Sequence, residues 1–264
     1  GVDLEHEDLR DKIWVNTDEV AGNRVDDDGN GFIDDVHGWD FVARSPAGAA
    51  IHHATHVAGI AAASGNNGVG VAGVDWGARI MSVRVLGSSG FGGEAGIVEG
   101  INYAVANGAR IINLSLVGSR SQALIDAVEN AYAGGVVVVA AAGNSGLDTD
   151  RVNVYPACAD VGGVNMVLGV GALDEEGEPA RFSNYGSCVD VSAPGEDILS
   201  TKVGDRYGTM TGTSMSSPFA AGVAGLYLAL KPGASPAEVI GAVTGNMMAF
   251  SGEDTVEWTE DYKG

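Results

Sequence analysis

Apolar residues form short runs that alternate with amphipathic stretches along most of the chain. The run at 136–142 (VVVVAAA) is apolar on both faces, which is typical of a central parallel strand covered by helices. The other predicted strands are 79–86 (RIMSVRVL), 110–116 (RIINLSL), 167–173 (VLGVGAL), 189–194 (VDVSAP) and 197–201 (DILST).

Helical spacing of apolar residues separates these strands. The predicted helices are 93–107, 121–133, 214–230 and 235–244. The last begins with a capping box, in which Ser235 is the N-cap, Pro236 the first helical residue and Glu238 the partner three residues on. Alternating strands and helices with short Gly-rich links predict a single α/β domain over residues 1–264 with a mostly parallel sheet.

Composition and charge exclude several classes of protein. The chain has 264 residues, 45% of them apolar, and its 41 glycines follow no three-residue period, which excludes collagen. No apolar run reaches the roughly 18 residues of a membrane span. The net charge of −21 argues against nucleic acid and anionic membranes as partners. Residues 1–40 hold 13 acidic and 3 basic residues, so this segment is either a solvated acidic surface or a cation site.

Histidine is confined to the first quarter of the chain. Three of the five histidines, His52, His53 and His56, lie within IHHATHVAGI, and residues 57–264 contain none. An imidazole base would therefore come from this cluster. Taken alone, a histidine at a helix start is more often structural.

Two Gly-flanked turns carry groups suited to acyl transfer. GTSMSSPFAAG (212–222) places Ser214 at the start of an apolar helix, where backbone N–H groups and the positive helix end favour an oxyanion. AAAGNSG (140–146) places the amide of Asn144 in a loop after a buried strand, from which it could donate to the same oxyanion. Each stretch by itself is also compatible with an ordinary N-cap or strand-end turn.

Taken together and in this order, HATHVAGI, AAGNSG and GTSMSSP resemble the subtilisin-type serine peptidases, the subtilases. The resemblance extends over nearly the whole chain and includes GVDLEHEDL, NNGVGVAGV, VRVLGSSGFG, INLSL and FSNYGSCVDVSAPG. It implies a three-layer, doubly wound α/β fold with helices on both faces of the sheet. It also implies that His53 is the general base, Ser214 the nucleophile and Asn144 an oxyanion donor beside the Ser214 backbone N–H.

The resemblance further implies a way of binding polypeptide substrates. Two segments, Gly90-Phe91-Gly92 and Ser115-Leu116-Val117, match the edge strands between which the family pairs extended substrate. The primary specificity pocket would be lined by Ala141, Ala142 and Gly143. The implied partners are polypeptide substrates and the enzyme's own propeptide, and we expect a secreted or extracellular monomer.

The sequence departs from the family pattern in several places. The catalytic Asp of the family would fall two residues before Gly1, and the family continues beyond the last residue, so we expect an interior fragment of an endopeptidase that is nearly inactive by itself. Neither Asp3 nor Asp8 matches the catalytic position. Ala54 and Val117 replace glycines of the family, and either could narrow specificity.

Calcium is the predicted cofactor. DDDGNGFIDD (26–35) has the spacing of the first part of an EF-hand loop, but position 12 is His37 rather than Glu, and Asp35 could substitute. The predicted ligands there are Asp26, Asp28, Asn30, Phe32 and Asp34. A second site is implied by the resemblance, with ligands Asp8, Asn67, Val69 and Val71; it would be weakened by the absence of the family's ligand from the N-terminal segment.

The two cysteines, Cys158 and Cys188, pair in some relatives, and a disulfide or two buried thiols are both compatible with the sequence.

Three other functions are compatible with parts of the sequence. GVGVAG (68–73) matches the dinucleotide fingerprint GxGxxG, but a helical stretch precedes it and a strand follows. His52 and His56 have the i, i+4 spacing of zinc ligands, but the residue between them that would be the glutamate base is His53. The third alternative is a non-catalytic, calcium-binding relative of the subtilases.

Overall fold

The structure is a computed structural model that describes residues 1–245. Its elements in chain order are β1 (Trp39–Asp40), β2 (Ser45–Pro46), α1 (His52–Ala62), α2 (Glu94–Ala106), β3 (Ile111–Leu114), α3 (Gln122–Ala133), β4 (Val137–Ala141), β5 (Val167–Leu173), β6 (Val191–Pro194), β7 (Ile198–Lys202), β8 (Arg206–Met210), α4 (Thr213–Leu230) and α5 (Pro236–Gly245). The predicted domain also covers residues 246–264, which lie outside the described residues. Of the helices described, none combines the length and the apolar character that crossing a bilayer requires.

A parallel sheet of four strands, in the order β3-β4-β5-β6, forms the centre of the fold. Strand β4 is buried along its whole length, and its side chains alternate between two cores. Val138 and Ala140 pack with α2 and α3, whereas Val137 and Val139 pack with α4 and α5. Helices therefore cover both faces, and the α/β prediction is confirmed.

All four predicted helices form, and none of their ends differs from the prediction by more than one residue. The capping box of α5 is present, since the Ser235 N–H donates to the Glu238 carboxylate at 2.8 Å and the Glu238 N–H donates back to Ser235 Oγ at 3.3 Å. The sequence did not predict β8, which pairs with β7 in an antiparallel hairpin that packs against α1.

The predicted strand 79–86 is the main departure from expectation. In the described part of the chain it forms only isolated parallel bridges, from Ile80 to Ile13 and from Arg84 to Asp40. Its other edge faces a cavity of about 690 Å3 instead of a neighbouring strand. The opposite wall of this cavity is β3, the outermost strand of the sheet. Because no described strand pairs with this second edge, residues 79–86 do not form a continuous ladder of strand hydrogen bonds.

The acidic N-terminal region is attached to the core by aromatic residues. Phe32 makes edge-to-face contacts with Trp39, Phe41 and Tyr103, whose ring centroids lie 5.2, 5.7 and 4.9 Å away. The Tyr103 hydroxyl of α2 donates to Asp35 at 2.5 Å, and both residues are buried. Burial, followed by the hydrogen bond to Asp35, raises the pKa of Tyr103.

Candidate active site

Ser214 lies in the first turn of α4, which begins directly after a glycine that the site requires. Gly212 has a φ of 148°, a conformation that other residues rarely adopt. A Cβ built on Gly212 would lie 3.0 Å from Asn144 Nδ2. The glycine therefore lets the start of α4 approach the Asn144 loop closely.

The side chain of Asn144 is held in one orientation by the residue before Ser214. Its Oδ1 accepts hydrogen bonds from both the backbone N–H and the Oγ1 of Thr213, each at 2.8 Å. Because both bonds use the oxygen, the Nδ2 group is left as a donor, and no described residue accepts a hydrogen bond from it. Nδ2 and the first-turn amides of α4 are the donors that an oxyanion needs.

Asn184, which sequence reasoning did not single out, fixes the loop that carries Asn144. Its Nδ2 donates to the Ala142 carbonyl at 2.7 Å, and its Oδ1 accepts from the amides of Ser145 and Leu147 at 3.1 and 2.9 Å. A buried asparagine that satisfies three backbone groups on both sides of a loop keeps that loop in place. The only sequence signal was its position within FSNYGS, where an asparagine has many possible roles.

Ser214 is also tied to the predicted substrate segment. Ser214 Oγ donates to the Ser115 carbonyl at 3.3 Å, and Ser115 Oγ donates to the Ser214 carbonyl at 2.8 Å. Ser115 Oγ in turn accepts from Asn113, which accepts from Ser217 Oγ at 2.6 Å. The structure thus brings Ser214, Asn144 and Ser115 together at the carboxyl ends of β3 and β4.

His53 lies in the first turn of α1 and is half-buried. It lines the same cavity as Ser115, and no described residue makes a hydrogen bond to its ring. Burial is the main cause that lowers the pKa of His53.

The hairpin β7–β8 fixes α1 and hence the position of His53. Ser200 Oγ and Thr201 Oγ1 donate to the carbonyls of His56 and Thr55 at 2.8 and 2.7 Å. A Cβ on Gly59 would meet both hydroxyls at 2.3 Å, so the close packing of helix and hairpin requires glycine there.

The other histidines of the cluster do not form a zinc site. His56 is fully buried and its Nε2 donates to the Gly208 carbonyl at 3.0 Å. His52 is exposed, and its Nδ1 accepts from the Val203 amide at 3.3 Å. The two rings thus bond separate residues of the β7–β8 hairpin, Gly208 and Val203. The GxGxxG stretch at 68–73 lies in a loop rather than at a strand–helix junction.

The predicted substrate segments lie at the surface. Phe91 is 82% exposed and Val117 is 54% exposed. Val117 Cγ1 lies 3.5 Å from the position of a Cβ on Gly143, which has a φ of 100°. Ala141 and Ala142 are buried. The second segment therefore adjoins the predicted specificity pocket, and Val117 is the side chain at the junction.

The acidic loop contains a group of three carboxylates that could hold a cation. Oxygen atoms of Glu19, Asp26 and Asp28 all lie within 4.8 Å of one another. Glu19 was missed by sequence reasoning because it precedes the loop by seven residues. Glu19 is 7% exposed, and its carboxylate accepts from the amides of Asp27 and Asp34 at 2.7 and 3.0 Å.

Other predicted ligands of this loop are placed differently. The carboxylate of Asp34 accepts from the amides of Asn23 and Arg24, each at 3.1 Å, so it is bonded outside the group. Asn30 Nδ2 donates to both Asp28 and Asp35. Phe32 packs its ring in the aromatic cluster.

The second predicted calcium loop brings Asp8 and Asn67 together. Asn67 Nδ2 donates to Asp8 Oδ1 at 2.6 Å, and the Val71 amide donates to Asp8 Oδ2 at 2.9 Å. Asn67 Oδ1 accepts from the Val69 amide at 3.1 Å. Asp8 is fully buried, so its carboxylate is compensated by these two donors.

The two cysteines are joined in a disulfide. The Cα atoms of Cys158 and Cys188 lie 5.0 Å apart, and the bond links the segment after Pro156 to the loop before β6. Of the two states that the sequence allowed, the structure therefore has the bonded one.

Comparison with known proteins gives one consistent result. The sequence profile of the subtilase family matches residues 1–255. The chain is 42% identical over 228 residues to a thermophilic serine proteinase of Bacillus sp. (strain AK1), covering 86% of this chain and 49% of that protein. It is 40% identical over 241 residues to subtilisin DY of Bacillus licheniformis, covering 90% of this chain and 77% of that protein.

A solved structure is similar as well. The crystal structure of a cold-adapted subtilisin-like serine proteinase superposes with a TM-score of 0.75 at 33% identity, covering 93% of this chain and 78% of that one. The chain thus spans about half of one of these proteins and roughly three-quarters of the other two.

Proposed function

The chain belongs to the subtilase family of serine peptidases, and on this premise we propose that it hydrolyses peptide bonds through Ser214, His53 and Asn144. The observation that carries the proposal is the fixed pair of Ser214 and Asn144, with Thr213 holding the amide oxygen and leaving Nδ2 as a donor. Extended polypeptide substrate would lie between Gly90-Phe91-Gly92 and Ser115-Leu116-Val117.

In the proposed reaction, Ser214 Oγ attacks the carbonyl carbon of the scissile bond and its proton moves to neutral His53. The negative oxygen of the tetrahedral intermediate accepts from Asn144 Nδ2 and the Ser214 backbone N–H. The C–N bond breaks as His53 returns the proton to the leaving amine, which leaves an acyl-serine. Water then attacks this ester, with His53 taking and returning the proton in the same way.

We also propose that residues 1–264 alone react slowly. No carboxylate of the described residues bonds His53, so nothing among them fixes its tautomer or stabilises the imidazolium. The main alternative is a non-catalytic, calcium-binding module. It is favoured by the same observation, that no described carboxylate bonds His53.

A fluorophosphonate probe separates these possibilities. We expect slow, time-dependent labelling of one serine, identified as Ser214 by peptide mapping, together with weak cleavage of unfolded casein. Ser214→Ala is the matched control and should remove both signals. Absence of labelling at millimolar probe over a day, in protein with a cooperative melting transition, would contradict the catalytic proposal.

Calcium is the proposed cofactor. Three clustered carboxylates, one of them on a buried residue, are a donor set of hard oxygens that suits this cation. Asp26, Asp28 and Glu19 would hold the ion, and the ion would neutralise their mutual repulsion. Asp8 and Asn67 would form the second site, once Asn67 turned its oxygen toward the ion.

Melting in calcium and in chelator tests this assignment. At calcium 100-fold above its Kd we expect the melting temperature to rise by roughly 5 °C or more. Glu19→Gln should reduce the rise, whereas Glu129→Gln on the exposed face of α3 should leave it unchanged. An equal rise in both variants would remove Glu19 from the site.

The disulfide is typical of proteins from oxidising compartments, which supports a secreted or extracellular location. We propose a monomer whose macromolecular partners are polypeptide substrates and its own propeptide.

A further inference from the structure

One wall of the predicted specificity pocket, formed by Ala142 and Gly143, is fixed by hydrogen bonds. The Gly143 N–H donates to Thr213 Oγ1 at 3.0 Å, and the Gly143 carbonyl accepts from the Asn184 N–H at 3.0 Å. The Ala142 N–H donates to the Val170 carbonyl at 2.9 Å, and the Ala142 carbonyl accepts from Asn184 Nδ2 at 2.7 Å. Because all four backbone groups are bonded, this wall cannot retreat from a bulky side chain without breaking hydrogen bonds.

The opposite wall, residues 115–118, is anchored at both ends. Ser115 exchanges two hydrogen bonds with Ser214. Gly118 exchanges two backbone hydrogen bonds with Tyr155, at 2.7 and 3.4 Å. The distance between the two walls is therefore set by described contacts on each side.

The side chain of Val117 extends from the second wall to the first. Its Cγ1 lies 3.5 Å from the position that a Cβ on Gly143 would occupy. Since a Cβ lies about 1.5 Å from its Cα, Val117 Cγ1 is at most about 5 Å from the Cα of Gly143. A substrate atom between two walls needs about 3.5 Å of separation from each, or about 7 Å in all. No heavy atom of a substrate therefore fits between Val117 and Gly143.

Rotation of the valine does little to open this gap. The two methyl groups of Val117 occupy two of the three staggered positions around χ1, so the position toward Gly143 is empty in only one of the three rotamers. The other residues predicted to line the pocket, Ala141, Ala142 and Gly143, carry no charge that could bind an ionic side chain. The pocket is thus both narrow and uncharged.

We propose that Val117 determines the specificity of the site, which cleaves polypeptides after glycine, alanine or serine and rejects aromatic and long side chains at that position. This inference deepens the proposed function and rests on it. A hydrogen atom, a methyl group or a hydroxymethyl group can contact the outer side of Val117 without entering the gap. An aromatic ring or a long chain would overlap the valine methyl groups, and overlap of this kind separates substrates by about 10–200-fold per carbon group.

Two peptidyl diphenyl phosphonates test the preference, one with the side chain of alanine beside phosphorus and one with that of phenylalanine. Ser214 Oγ forms a bond to phosphorus, the bond to one phenoxide breaks, and the phenoxide leaves as phenol with the serine proton. We expect the alanine probe to label Ser214 at least about tenfold faster than the phenylalanine probe. A parent protein that reacts equally with both probes, or faster with phenylalanine, would overturn the proposal.

Variants at the same position test the residue. Val117→Gly should raise the labelling rate of the phenylalanine probe at least about tenfold and change that of the alanine probe by less than about threefold. Val117→Thr is the matched control, because threonine keeps the branched shape, and it should retain the preference of the parent. Val164→Gly, at an exposed valine in the loop before β5, controls for a glycine introduced elsewhere. An unchanged ratio of the two rates in Val117→Gly would remove Val117 from the pocket.

A small fluorophosphonate without a peptide separates this inference from the proposed function. It has no side chain to place in the pocket, so it should label the parent, Val117→Gly and Val117→Thr at similar rates. Labelling by this probe together with equal rates for the two peptidyl probes would leave the proposed function standing and overturn the inference. Absence of labelling by every probe, in protein with a cooperative melting transition, would contradict both.

Discussion

The structure holds the proposed nucleophile, Ser214, and the proposed base, His53, in different ways. Ser214 exchanges two hydrogen bonds with Ser115, and the preceding residue, Thr213, donates to the side chain of Asn144. Among the described residues, His53 is held through its helix, which packs against the β7–β8 hairpin, and its ring borders a cavity. In the proposed mechanism, the described residues therefore fix the groups for acyl transfer, whereas none of them bonds the ring that would transfer the proton.

Removal of the oxyanion donor should have the largest effect. Asn144→Ala removes a fixed N–H donor, and we expect the labelling rate of Ser214 to fall by about 10²–10³-fold, the range seen for such donors in serine peptidases. Melting temperature serves as the control and should change by little. A loss below threefold would mean that the amide does not face the reacting oxygen.

Removal of the base should cost less than in a complete triad. An imidazole that no carboxylate orients is a weak general base and accelerates attack by Ser214 only modestly. We therefore expect His53→Ala to lower the labelling rate by about 10–10²-fold. His52→Ala, at the exposed neighbour, is the control. A loss above 10⁴-fold would show that His53 already has a partner, and the contrast between the two halves would disappear.

Loss of the Thr213 hydroxyl, which holds the side chain of Asn144, should slow the labelling of Ser214 by a smaller factor. Thr213→Val removes the Oγ1 bonds to Asn144 Oδ1 and from the Gly143 amide but keeps the backbone bond. Loss of hydrogen bonds worth about 1–1.5 kcal/mol predicts a roughly tenfold slower labelling. Thr213→Ser keeps the hydroxyl and should restore the parent rate; equal losses in both variants would assign the effect to packing.

The pH profile gives the smallest and most specific effect. Burial lowers the pKa of His53 from its ordinary 6.5, so the neutral, proton-accepting form persists at lower pH. We expect the acid limb of the labelling rate to have its midpoint below pH 6.5, with the rate falling as His53 gains a proton. A midpoint at or above pH 7 would indicate a carboxylate beside the ring, because a negative neighbour raises a histidine's pKa.

Sequence patterns predicted the sheet, its helices and the segments that carry Ser214, Asn144 and His53. Periodicity succeeds there because β4 is buried on both faces and each motif lies at a strand or helix end. It failed for 79–86, because an apolar run has strand character whether or not a neighbour exists on each side. It also missed Glu19 and Asn184, whose roles depend on contacts with residues distant in the chain.

The disulfide has a practical consequence for producing the protein. It closes a loop of 30 residues that contains β5 and Asn184, the residue that holds the Asn144 loop. Loss of such a crosslink costs about 3.6 kcal/mol in the chain-entropy view. Material made in a reducing cytoplasm should therefore melt earlier and be cut sooner by other proteases than material folded in an oxidising host, so the choice of expression host decides which molecule reaches the assay.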